Sequence, residues 1–266
     1  MKPIKSLLRT AAFVLSAAPL LAQAALIDIT VTGAVYDSYD GTGNVFGQGS
    51  GNGIVNGQTA ILKFTYDTAA APGDYFGGAY PYEAYYYDDT DWIESSASVG
   101  GNAVSDVVTS GNYADYSFVY LQDYLPTYSY DYIQVTDYEY GGDSGYDGNG
   151  NYFYHYEQNY TYFYSTDFLE DFLNGVALNQ TTSATVGGNN NYGSAYINRY
   201  LDSYQCADPN CNTYQYREYK HGYAQMTLNT VTMSLRNTNI PEPGSLALLG
   251  LGLSGLAFVR RRKALS

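Results

Sequence analysis

Between residues 25 and 236 the chain is organised by alternation with a period of two. Ile27, Ile29, Val31, Gly33 and Val35 alternate with Asp28, Thr30, Thr32 and Ala34, the pattern of a strand that buries one face. Ala60, Leu62, Phe64 and Tyr66 alternate with Ile61, Lys63 and Thr65 in the same way. Further strands are expected at Tyr113 to Leu121 and Tyr128 to Tyr138, and Tyr152 to Tyr164 reads as another strand or a hairpin. In the last strand, Ala224 to Arg236, Met226, Leu228, Thr230, Thr232 and Ser234 alternate with Thr227, Asn229, Val231, Met233 and Leu235. The second set is the more apolar and is expected to face inward. Turn clusters such as Asp40-Gly41-Thr42-Gly43, Gly49-Ser50-Gly51-Asn52-Gly53, Gly141-Gly142-Asp143 and Gly187-Gly188-Asn189-Asn190-Asn191 separate these runs. Thr166 to Asn174 breaks the period. Thr166 or Asp167 can cap a helix there, Phe168, Leu169, Phe172 and Leu173 share one face, and Gly175 stops it. The expected fold is all-β: an antiparallel β-sandwich or jelly roll with one short helix packed on it.

Composition strengthens the reading. The chain holds 33 tyrosines and 28 glycines, residues that suit a pleated half-buried surface and its turns. Roughly 215 residues between Ala25 and Ile240 suffice for a single sizeable core. No Pro-rich or charge-run linker interrupts residues 25–236, so they read as one domain. The stretch from Asn237 to Ile240 reads as a short stalk.

Both ends differ from this domain. Lys2, Lys5 and Arg9 precede an apolar run from Thr10 to Ala22, and Ala22-Gln23-Ala24 is a small-x-small site. Residues 1–24 therefore read as a signal peptide for the export machinery and signal peptidase, with the mature chain starting at Ala25. At the other end, Pro241, Glu242 and Pro243 lead into the uncharged stretch Gly244 to Val259, which is followed by Arg260, Arg261, Arg262 and Lys263. As a helix, residues 244–259 span roughly 24 Å, and thinning and snorkelling can reconcile this with a hydrocarbon core of about 30 Å. The basic tail favours the cytoplasmic side. Pro-Glu-Pro stays extended, as a protease cleft requires.

These three parts in this order resemble the PEP-CTERM sorting signal of Gram-negative bacteria, which exosortase-type membrane proteases recognise. The resemblance covers about a tenth of the chain. It implies inner-membrane association through residues 244–259, then cutting near Pro241 to Pro243 and a cell-surface or extracellular destination. A permanent C-terminal anchor is the alternative. Gly57 to Gly73, GQTAILKFTYDTAAAPG, is similar to the first strand pair of many exported β-sandwich proteins with this tag.

Removing the end segments changes the charge. Five basic residues face twenty-five acids between Ala25 and Ile240, a net of about −20 against −14 for the whole chain. Such a surface repels nucleic acid and anionic lipid. Cys206 and Cys211, spaced by Ala-Asp-Pro-Asn, fit a disulfide in an oxidising compartment. A redox or metal pair is the alternative, but His221 is ten residues from Cys211 and no second cysteine pair completes a zinc site.

The chemistry of catalysis is sparse. His155 and His221 are the two histidines, and His155 sits in a run of tyrosines as a surface strand residue would. No Gly-x-Ser-x-Gly elbow and no phosphate-cradling loop occurs, so no catalytic residue is assigned and no cofactor is expected. The run from Asp143 to Asn151 contains Asp147-x-Asn149-x-Asn151 and begins like a calcium loop. It then departs from that pattern, with Tyr152 where the sharp-turn glycine belongs and Gln158 where the bidentate glutamate belongs. Asp143, Asp147, Asn149 and Asn151 are thus candidate calcium ligands or simply solvated turn residues, as are Asp88, Asp89 and Asp91.

The tyrosines are the last candidates. Tyr85-Tyr86-Tyr87 stand together, while Tyr128, Tyr130, Tyr132 and Tyr152, Tyr154, Tyr156 recur at a spacing of two that puts each triplet on one sheet face. Exposed, such rings can stack on sugars or on a second copy; buried, they form core. Two functions follow. One is an exported surface or matrix protein, structural or binding exopolysaccharide. The other is a secreted carbohydrate-active enzyme with paired carboxylates.

Overall fold

A computed structural model of the chain describes residues 25–108, 114–124, 130–167, 171–186 and 191–236. Ala22, Ala24, Tyr128, Pro241, Glu242, Pro243, Arg260, Arg261, Arg262 and the apolar stretch 244–259 lie outside the described residues. Among the described residues no helix is long and apolar enough to cross a membrane.

The chain runs through β1 (Leu26–Asp40), β2 (Gly51–Asn52), β3 (Thr59–Asp67), β4 (Glu83–Asp88), β5 (Ile93–Val99) and β6 (Asn102–Ala103). It continues through β7 (Ala114–Asp123), β8 (Asp131–Tyr146), β9 (Tyr152–Asp167), β10 (Thr182–Thr185), β11 (Asn191–Cys206) and β12 (Tyr214–Leu235). All pair antiparallel in one sheet ordered β4-β7-β8-β9-β11-β12-β1-β3-β5-β6, with β2 beside β1 and β10 beside β12. The all-β, antiparallel expectation holds, and the strands join one continuous sheet rather than two separate ones.

That sheet folds over on itself. Phe64 on β3 and Phe163 on β9 are four strand steps apart in the order, about 19 Å on a flat sheet. Their ring centroids are nevertheless 5.4 Å apart. The long strands make the turn by changing partners along their length. β1 pairs β3 over Leu26–Ala34 only, and β12 pairs β11 through Thr227 and then β10 from Thr230. Gly33 sits at the changeover, where an added Cβ would lie 2.2 Å from the Thr227 carbonyl oxygen. The enclosed face carries Ile27, Ile29, Val31, Leu62, Phe64, Val119, Leu121, Ile133, Val135, Phe163, Ala195, Ile197 and Met226, all at most 2 % exposed.

Two expectations are corrected. In β12 the inward set is not one parity throughout: Met226 and Leu228 point in, and then Val231 and Met233 do. The register steps from Leu228 to Thr230 opposite Gly33 and Thr32, so Asn229 is an unpaired bulge residue and the phase flips there. Leu235, expected inside, is 50 % exposed. Nor is there a helix among the described residues of 166–174, with Phe168 and Leu169 lying outside the described residues. Thr166 and Asp167 finish β9, and Asp171 to Asn174 are irregular. The amides of Phe172 and Leu173 donate instead to Asp131 Oδ2, each at 3.0 Å. A fully buried carboxylate 41 residues away offers these amides a stronger acceptor than a helical carbonyl would.

Cys206 and Cys211 form a disulfide with a Cα–Cα distance of 4.9 Å. It closes the β11–β12 connection, where Asp208 accepts the amides of Asn210 and Thr213 at 2.9 and 3.1 Å. Cys211 holds a positive φ of 53°, a left-handed conformation that costs a non-glycine residue energy.

Candidate functional site

Because side chains alternate across a strand, filling one parity with apolar residues leaves the other parity for the opposite face. On β7, β8, β9 and β11 that outer parity is rich in tyrosine, and the first half of β12 adds Tyr219, His221 and Tyr223 to it. The pairing register aligns the rings in rows across the strands. One row runs Tyr85, Tyr120, Tyr132, Tyr164, Tyr192, with successive centroids 5.9, 5.8, 6.2 and 6.3 Å apart. A second runs Tyr138, Tyr160, Tyr196, Tyr223, Tyr39 at 5.4, 6.0, 6.1 and 6.1 Å. A third joins Tyr156 to Tyr200 and His221, and a fourth joins Tyr152 and Tyr154 to Tyr204 and Tyr214. Most of these rings are half-buried against each other; among the described residues Tyr66 is buried in the core and Tyr86 packs against it.

The hydroxyls between the rings are tied to amides and to one another. Tyr132 and Tyr156 donate to Gln134 and Gln158 at 2.7 and 3.1 Å, Gln122 donates to the Tyr120 hydroxyl at 2.7 Å, and Tyr138 and Tyr156 share a 3.3 Å contact. Desolvation pushes Tyr132 and Tyr160 up to about 12, so these phenols stay neutral at any physiological pH. The face is aromatic and studded with hydrogen-bonding groups, and the charged groups among its rings include Glu83, which accepts the Tyr120 hydroxyl, and the Asp202–Arg217 pair.

One concavity of about 350 Å³ opens on it, lined by Gln122, Tyr130, Tyr132, Tyr164, Thr166 and Tyr192. A second, of about 330 Å³, lies at the ends of β9, β11 and β12 between Phe153, Tyr154, His155, Ser203, Tyr204, Gln205 and Tyr216. Tyr130 and Tyr132 thus fall together as the sequence suggested. Tyr152, Tyr154 and Tyr156 lie along β9 on the same outer face. Sequence reasoning missed Tyr164 and Tyr192, the facing walls. The signal was present: Tyr160, Tyr162 and Tyr164, and Tyr196, Tyr200 and Tyr204, keep even spacing along β9 and β11.

The remaining candidates are placed as follows. Asp143 lies exposed on β8. Asp147 accepts the amides of Asn149 and Asn151 at 2.8 and 2.9 Å and the Gln205 amide at 2.9 Å, closing the β8–β9 hairpin turn. The carboxylates that converge are others: one oxygen each of Asp123, Asp131 and Asp171 lie within 4.8 Å of one another. Asp131 spends its oxygens on the amides of Tyr124, Phe172 and Leu173, and Asp123 accepts the Gly175 amide, so this group organises the loop after β9. Asp89 accepts the Tyr87 hydroxyl. His155 lies 3.4 Å from Glu157, and His221 is packed among Tyr39, Tyr200, Tyr219 and Tyr223.

The tail links the chain to known proteins. Residues 239–263 match the family model for the PEP-CTERM protein-sorting motif. The chain carries a PEP-CTERM sorting signal. That signal implies export, sorting to the cell surface or beyond, and processing by an exosortase-like membrane protease. No curated protein and no solved structure matches the chain.

A second polar cluster makes the domain sensitive to pH. Under β5, Ser117 Oγ lies 2.6 Å from Asp115 and 3.2 Å from Asp137. One hydroxyl proton cannot serve two carboxylates, so the second interaction needs a proton on a carboxyl group. Desolvation, helped by the neighbouring Glu139, raises Asp137 to about 7 and Asp115 to about 6. Ser95 and Arg199 oppose this only in part. Folded pKa values above the unfolded 3.8 mean that the native state binds protons more tightly. The stabilisation is present in full below about 4 and is lost as pH rises towards 7. His221, lowered by burial, works the other way on the acid side. The melting temperature is expected to fall between about pH 5 and 8, and Asp137→Asn should flatten that slope. Thermal unfolding of both forms across the window checks it, and an equal slope in both would reject Asp137 as the source.

Proposed function

We propose that this PEP-CTERM protein is a component of the extracellular matrix that holds neutral polysaccharide on its tyrosine-paved sheet face. The observation that carries this reading is the alignment of neutral rings in rows across β4, β7, β8, β9, β11 and β12. An array of phenols flanked by glutamines matches the apolar faces and hydroxyl rims of pyranose rings. The net charge near −20 disfavours a polyanion unless cations bridge it. In this reading signal peptidase cuts after Ala24, residues 244–259 hold the precursor in the inner membrane, and cutting near Pro241 to Pro243 releases it. The binding face requires no cofactor, and calcium at Asp147 would compete with the turn's own hydrogen bonds.

The alternative is a carbohydrate-active enzyme. Asp115 and Asp137 are buried at 6 % and 5 % exposure and line neither tyrosine-walled concavity. A further concavity of about 340 Å³ holds Asp28 and Glu94, but Asp28 is engaged by Arg236 and Thr65 and its pKa is lowered, chiefly by the Arg236 hydrogen bond, which leaves it poorly suited as a general acid and favours the binding reading. The test is retention of the exported protein on polysaccharide from the producing cells. With about 1 kcal/mol per stacked ring, Tyr132→Ala with Tyr164→Ala should weaken binding by about 2 kcal/mol, roughly thirty-fold. Undiminished retention in a variant with native circular dichroism would remove this face as the binding surface. Release of reducing sugar by the wild type would instead establish the enzyme.

A further inference from the structure

The tyrosine face has a second chemistry, and the rest of the molecule is arranged so that it is the accessible one. Oxidants normally attack exposed cysteine and methionine first. Here Cys206 and Cys211 are joined and no free cysteine occurs among the described residues. Met226 and Met233 are 1 % and 0 % exposed, and Trp92 is 5 % exposed. Phenols are what remains in contact with the medium. They also form connected rows, with rings 4.9–6.4 Å apart from β4 to β12. At such separations an electron passes readily from one phenol to the next, so a radical formed on any ring of a row can migrate along it. Migration favours rings whose proton is free to leave to water. Desolvation opposes that loss at Tyr85, Tyr120, Tyr132 and Tyr138.

Two rings stand out from the rows. Tyr75 is 74 % exposed and Tyr146 is 71 % exposed, the highest values among the exposed large apolar side chains. Each abuts a row: Tyr75 lies 6.1 Å from Tyr85, and Tyr146 lies 5.5 Å from Tyr152 at the tip of the β8–β9 hairpin. They lie at separate places on the sheet, Tyr75 beside the edge strand β4 and Tyr146 at that hairpin tip.

We propose that Tyr75 and Tyr146 are oxidative coupling sites through which copies of this protein are joined covalently by dityrosine bonds, with hydrogen peroxide and a haem peroxidase as the oxidising system. Each phenol gives up one electron and one proton. The two radicals join through ring carbons ortho to oxygen, and each ring hydrogen displaced by the new C–C bond returns to its phenol oxygen. The two electrons and two protons reduce one hydrogen peroxide to two waters. With one coupling site per copy growth stops at a dimer, whereas two sites per copy allow chains. A surface-sorted matrix component would thereby be set in place without disulfide exchange. The inference stands apart from the polysaccharide reading, because it uses different residues and needs no sugar.

The experiment treats the full-length exported protein with a haem peroxidase and hydrogen peroxide, with no polysaccharide present. The products are read on a denaturing, reducing gel, by dityrosine fluorescence, and by mass spectrometry of cross-linked peptides. The wild type should give a ladder beyond the dimer, with cross-links at Tyr75 and Tyr146. Tyr75→Phe and Tyr146→Phe, which keep the ring and so the packing, should each stop at dimers, and the double variant should lose the ladder. Tyr160→Phe with Tyr196→Phe, in the middle of a row, should keep the ladder. A ladder that survives in the Tyr75→Phe/Tyr146→Phe variant, cross-links mapped only to other tyrosines, or no dityrosine in the wild type would each overturn the proposal.

Discussion

Asp40→Ala is expected to destabilise the domain by about 3–5 kcal/mol. Asp40 ends β1 with no exposed surface, and its carboxylate accepts the amides of Thr42, Gly43, Val45 and Phe46 at 3.1, 2.7, 3.0 and 3.0 Å. Val45 and Phe46 are each 1 % exposed, so their amides have no water to turn to once the acceptor is gone. The loop they start also presses Val45 onto Gly222 of β12, where an added Cβ would lie 2.7 Å from Val45 Cβ. Releasing it should therefore loosen the β1–β12 pairing at that end. Asp40→Asn keeps one acceptor oxygen and should lose about half as much. Urea unfolding of the three forms measures this. A loss below about 1 kcal/mol in Asp40→Ala would show that packing, not the carboxylate, holds the loop.

Arg199→Met should cost about 3 kcal/mol, and the cost should grow with pH. Arg199 lies on the enclosed face of β11 at 1 % exposure. It donates to Asp106 at 3.0 Å, to the carbonyls of Tyr160 and Asn198 at 3.2 and 3.1 Å, and to Thr161 Oγ1 at 3.0 Å. Burial draws its pKa down, and Asp106, Asp137 and Glu139 push it back up. Methionine fills the volume but strands these acceptors. The side chain of Asp106 is 56 % exposed and stays hydrated. Asp137 and Glu139 lose their nearby cation, so ionising them above about pH 7 becomes costlier in the variant. The wild-type minus variant stability should therefore be larger at pH 8 than at pH 5. A difference independent of pH would mean that Arg199 acts through packing and hydrogen bonding alone.

How far the sequence reaches is clearest at particular residues. The strands around Ile29 and Phe64 were legible because alternation is a local property, fixed by the two-residue repeat of an extended chain. The destination was legible for a similar reason. A sorting signal is read as a linear segment, so its proline pair, apolar stretch and basic tail carry their meaning without a fold.

The tertiary structure decided what depends on partners distant in sequence. Asn229 bulges because β12 changes neighbours there, and no repeat within the strand announces that. Phe172 and Leu173 had a helical pattern, yet Asp131 captured their amides across 41 residues. Even spacing grouped Tyr130 with Tyr132, and Tyr152 with Tyr154 and Tyr156, but could not say which face they take. That choice followed from Ile133, Phe163, Ile197 and their neighbours, whose greater apolar area claimed the enclosed side when the sheet folded over. The burial of Arg199, the shared hydroxyl between Asp115 and Asp137, and the meeting of Tyr132 with Tyr164 and Tyr192 have the same origin. Periodicity is a one-dimensional signal that sorts side chains into two sets. Which set is buried, and which members of a set touch, is settled only by the strand register and by the layer that packs against the sheet.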